Sequence, residues 1–66
     1  MTPAQIVIDT FGLRPLARTL DVYPSTVARW KTGKGLVPAR YHTRLIKLAE
    51  GKISTHDLIY GRSDDN

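Results

Sequence analysis

The chain has 66 residues and no cysteine. That length allows one domain with a modest core, and the absent thiols exclude disulfide staples and thiolate metal sites. The formal net charge is +4, and its sign is uneven: from Arg14 to Lys52 nine Lys or Arg side chains meet only two acids, Asp21 and Glu50. A basic middle between acidic ends suits a surface that meets phosphate, or an ordinary solvated face. No stretch is apolar enough to span a bilayer and no leader pattern is present, so the expectation is a cytoplasmic protein without a membrane partner.

A first helix is predicted from Pro3, with Thr2 in the capping position. Ala4, Val7, Ile8 and Phe11 fall at i, i+3, i+4 and i+7 and form its apolar stripe, and Gly12 ends it. Ile6 lies off that stripe and reads as an exposed apolar residue or a partner contact. Pro15 begins a second, short helix that ends near Leu20, and Pro24 begins a third by the same logic. Thr32-Gly33-Lys34-Gly35 is too flexible to extend the third helix and is the predicted mobile loop. Leu36 and Val37 lead into Pro38, which opens a fourth helix with Leu45, Ile46, Leu48 and Ala49 as its apolar set and Gly51 as its stop. Ser54-Thr55-His56-Asp57 has the shape of a capping box for a last helix carrying Leu58, Ile59 and Tyr60. No segment alternates with period two, so the predicted fold is an all-α, compact bundle of about five short helices. The domain spans 1–62, and 63–66 form a polar tail.

The segment from Arg14 to Lys31 has the spacing of a helix-turn-helix. Ala17 is the small residue where two helices touch, Asp21 sits where the chain turns, and Val22 is the apolar plug. Leu16 and Leu20 face inward from the first helix of the pair, Val27 and Trp30 from the second. Trp30 at that spacing reads as core, with base stacking as the competing role. Facing outward are Tyr23, Ser25, Thr26, Ala28 and Arg29, the set such a helix shows to a DNA major groove.

Arg29 is the candidate base reader, because a guanidinium bonds guanine O6 and N7 together. Its competing roles are a phosphate contact or a surface charge. Ser25 and Thr26 hydroxyls suit several bases, or cap the helix. Ala28 meets a thymine methyl or permits close approach. Tyr23 reaches a phosphate or packs on the turn. Arg14, Lys31, Lys34, Arg40 and Arg44 are the candidate phosphate contacts, Arg14 because it lies at a helix start. Arg18 and Lys47 read as plain surface charges, and Tyr41 lies between core edge and phosphate contact. His42 and His56 have no acid or nucleophile at metal or triad spacing, so neither enzyme activity nor a cofactor is expected.

These residues resemble the compact helix-turn-helix regulators of phage Cro and CI type and their YdaS-like relatives. The resemblance rests on Leu16-Ala17, Asp21-Val22, Ser25-Thr26-Val27 and Trp30, with the segments 37–42 and 54–62 also similar to small prophage members. It implies a lambda-repressor-like fold of about five helices that binds operator DNA as a homodimer near the bacterial nucleoid. The helix from Pro24 would lie in the major groove with Ser25, Thr26 and Arg29 toward the bases. Asp21 stands where the family often has glycine, and Pro24 where many relatives have a base-reading glutamine. The implied readout therefore leans on the DNA backbone and shape. The expected function is a sequence-specific transcriptional regulator, a Cro-like repressor with no small-molecule effector and with half-sites about 34 Å apart. Ile53, Leu58 and Tyr60 are either its dimer surface or core. Two alternatives stand beside it: a protein-interaction module on the same scaffold, such as an antitoxin or host-factor binder, and an excisionase-like architectural factor.

Overall fold

The computed structural model describes residues 1–62. The polar tail expected at 63–66 lies outside them. Five α-helices follow in order: α1 (Pro3–Phe11), α2 (Leu13–Leu20), α3 (Pro24–Thr32), α4 (His42–Leu48) and α5 (Thr55–Tyr60), with a 3₁₀ turn (Ala39–Tyr41) leading into α4. No strand occurs among the described residues. The fold is an all-α bundle.

Prolines and caps explain most of the helix starts. Thr2 caps α1 through a full box: its hydroxyl accepts from the Gln5 N–H, and the Gln5 side chain accepts from the Thr2 N–H. Ser54 and Asp57 close the same kind of box on α5. Pro24 occupies the first turn of α3, where a missing N–H costs nothing. Pro15, expected to open the second helix, stands instead in the third position of α2, which begins at Leu13. The first-turn N–H groups of a helix have no partner within it, so a proline is as harmless there as at the first residue. Pro38 differs in kind. Its carbonyl accepts from the Tyr41 N–H at 3.0 Å, closing the 3₁₀ turn, and the α-helix proper starts only at His42.

The core consists of Ala4, Ile6, Val7, Leu16, Ala17, Leu20, Val27, Val37, Leu45, Ala49, Ile53 and Leu58, with no buried polar side chain among the described residues. Ile6 corrects the expectation of an exposed residue: it is 1% exposed. Helix α1 packs against α2, α3 and α5, so it buries more than one stripe, and Ile8 is the half-buried residue instead. Ile53 and Leu58 are core and are not available to a partner. Leu48, expected inside, is 44% exposed.

The loop after α3 is anchored, against the expectation of mobility. The Gly35 carbonyl accepts from the Ala4 N–H at 2.9 Å, tying the loop to the first turn of α1. Gly35 has φ +74°, and a Cβ there would stand 2.4 Å from the Thr2 Cβ. Only glycine fits both the left-handed backbone and the close approach. Lys34 and Leu36 on either side remain exposed.

Candidate nucleic-acid interface

Helices α2 and α3 are joined by three residues, Asp21, Val22 and Tyr23. The turn is a Schellman stop. Asp21 adopts φ 58° and ψ 46°, its N–H donates to the Arg18 carbonyl at 3.2 Å, and the Val22 N–H donates to the Ala17 carbonyl at 2.9 Å. Aspartate tolerates that left-handed backbone better than most residues. Ala17 is buried and Val22 packs on the core beside it, so the small residue and the plug fill the roles their spacing implied. The geometry defines a helix-turn-helix pair. Val27 anchors its second member and is fully buried.

That anchoring decides what α3 presents. The helix is capped from Tyr23, whose backbone is extended at φ −71° and whose side chain makes no capping bond. Ser25 and Thr26 thus lie two and three positions past the cap. Neither hydroxyl has a hydrogen-bond partner among the described residues, so neither caps the helix. Ser25 and Arg29, one helical turn apart, are exposed, while Thr26 and Ala28 are half-buried. Tyr23 is 79% exposed and does not pack on the turn.

The cations are open as well. Arg14 in the first turn of α2, Lys31 at the end of α3, Lys34 in the loop, Arg40 in the 3₁₀ turn and Arg44 on α4 are all exposed. None forms an ion pair among the described residues; the pair that does occur there joins Arg62 to Asp57 at 2.9 Å. No hydrogen bond or ion pair ties Arg14, Lys34 or Arg44 to an α3 side chain. Arg40 is different. Its guanidinium carbon lies 5.1 Å from the centroid of the Tyr41 ring, and that ring leans on Trp30 of α3, centroids 5.5 Å apart and planes at 40°. Trp30, expected as core, is half-buried and packs against the core from one side. Tyr41 is its aromatic partner, a contact that sequence spacing does not reveal.

Arg62 was also hard to anticipate. It donates to the Asp57 carboxylate at 2.9 Å and to the Lys52 carbonyl at 2.7 Å. The Arg62 hydrogen bond, with help from the Ser54 N–H, holds the Asp57 carboxyl below the ordinary carboxylate range. His56 is not part of that cluster; its ring lies against Tyr60, centroids 4.9 Å apart. No group of three His, Asp or Glu side chains among the described residues is placed to hold a metal ion. No helix among the described residues is long and apolar enough to cross a membrane.

The chain matches no family model, no curated protein and no solved structure.

Proposed function

We propose that the protein is a sequence-specific DNA-binding transcriptional regulator that lays α3 in the major groove of duplex DNA. The observation that carries this reading is the polar side of α3. Ser25 and Arg29 on it are exposed and Thr26 and Ala28 half-buried, its Ser25 and Thr26 hydroxyls and its Arg29 guanidinium are uncommitted, and cations without an ion pair lie before and after it in the chain. Ser25, Thr26, Ala28 and Arg29 are the base-facing set, and Arg14, Tyr23, Lys31, Lys34, Arg40 and Arg44 the phosphate contacts. The finer reading is a Cro-like repressor of phage or prophage type that blocks a promoter by occupying its operator. It rests on the residue resemblance at Leu16-Ala17, Asp21-Val22 and Ser25-Thr26-Val27. A homodimer fits the same reading. Of Ile53, Leu58 and Tyr60, only Tyr60 is open to a partner, 74% exposed, with Ile59 beside it on α5 at 47%.

The test is selection of bound sites from a random duplex pool, followed by titration of the selected site and a scrambled one at 50 and 200 mM salt. A regulator of this kind prefers its site by at least about 10³-fold, and its affinity falls with a log–log slope near −0.9 per neutralised phosphate. Equal, weak binding to both duplexes would end the proposal. A sharp bend in the bound fragment would favour an architectural role instead.

A further inference from the structure

The aromatic contact behind Arg40 has a role within the proposed interface. We infer that Trp30, Tyr41 and Arg40 form a positioning stack that holds the Arg40 guanidinium beside α3 as a preset phosphate clamp, with Tyr41 as the positioning residue. The inference rests on the DNA-binding reading. An arginine side chain on an exposed 3₁₀ turn ordinarily samples many rotamers, and binding a phosphate would freeze them at an entropic cost. Here the guanidinium already sits over a ring face, 5.1 Å from the centroid. The ring is itself held by the Trp30 indole at 5.5 Å, and Trp30 packs on the same core that anchors α3 through Val27. Through these two contacts the guanidinium is linked to Trp30 near the C-terminal end of α3. A guanidinium has five N–H donors, so a contact with one ring leaves donors for phosphate oxygens. No acidic side chain among the described residues competes for it.

Three measurements test this. In the free protein, ring current from Tyr41 should move the Arg40 Cδ proton resonances upfield, and Tyr41→Leu should abolish the displacement. On the selected duplex, Tyr41→Leu should weaken binding about 2–5-fold, the equivalent of an exposed cation–π contact, while Tyr41→Phe keeps wild-type affinity. In an Arg40→Ala background, which itself lowers the salt slope by about 0.9, Tyr41→Leu should cost nothing further. Arg40→Lys serves where Tyr41→Leu does not fold. It keeps the charge but loses the planar guanidinium and its bidentate grip on phosphate, and it should bind more weakly at an unchanged salt slope. Unshifted Arg40 resonances, equal affinity of Arg40→Lys and wild type, or additive losses from Tyr41→Leu and Arg40→Ala would overturn the clamp while leaving DNA binding intact. A wild-type chain that binds neither duplex at either salt overturns both.

Discussion

Two exposed cations carry opposite expectations although their chemistry is similar. Arg29 shares a face of α3 with Ser25 and is assigned to a base edge. Arg29→Ala should therefore cost about 1–3 kcal/mol and relax the preference for the selected site. Lys34 sits in the loop beyond the helix and is assigned to the backbone. Lys34→Ala should weaken all duplexes alike and reduce the salt slope by about 1. Parallel titrations of both variants on selected and scrambled duplexes separate the roles, and a uniform loss in Arg29→Ala would move that residue to the phosphate group. Most residue-scale features were legible in the chain. Asp21 as the turn, Ala17 as the contact and Val27 as the anchor each follow from local spacing, because the bonds of a Schellman stop join residues only three to five apart. Tyr41 packs at the core edge, one of its two expected places, but its contact with Trp30 was not legible, because Trp30 comes from a different helix and no local pattern pairs them.

Helix α5 is only six residues long, too short to be stable alone, so its first turn matters. Asp57 accepts from the Ser54 N–H and from Arg62, and both bonds favour the charged carboxylate. Its folded pKa is lowered, so the unfolded chain binds more protons in the acid range. The stabilisation is therefore present above the unfolded value, about 3.9, and is lost as pH falls through the folded value. Thermal melts from pH 6 to pH 2 should show Asp57→Asn losing less stability with acid than wild type. An identical acid dependence would remove Asp57 from the account. Ser54→Ala, which removes the cap, should cost about 1 kcal/mol at neutral pH. The box itself was evident from Ser54-Thr55-His56-Asp57, whereas the Arg62 contact arises only when the chain end folds back on α5. Helix α1 shows the same limit from the other side. One apolar stripe describes a helix with one packing face, and Ile6 is buried because α1 has neighbours on several sides.

At the scale of the whole molecule, twelve buried apolar residues among those described form one core. Sites on such a small body are coupled through few layers of packing. The proposed homodimer adds a concentration term: sedimentation of wild type and Tyr60→Ala should show a dimer that the variant weakens, and a monomer in both would leave α3 to bind single half-sites. The loop behind α3 links distant parts more directly. Amide protons in the opening turn of a helix ordinarily exchange with water unhindered, since nothing within the helix accepts them. The Ala4 amide is an exception, because the Gly35 carbonyl covers it. Its deuterium uptake should thus be slow. Gly35→Ala, which forces a Cβ toward Thr2 and should cost about 1–3 kcal/mol, should make it fast. One proton near the start of the chain would then report, in an isotope experiment without DNA, whether the segment following α3 is still seated.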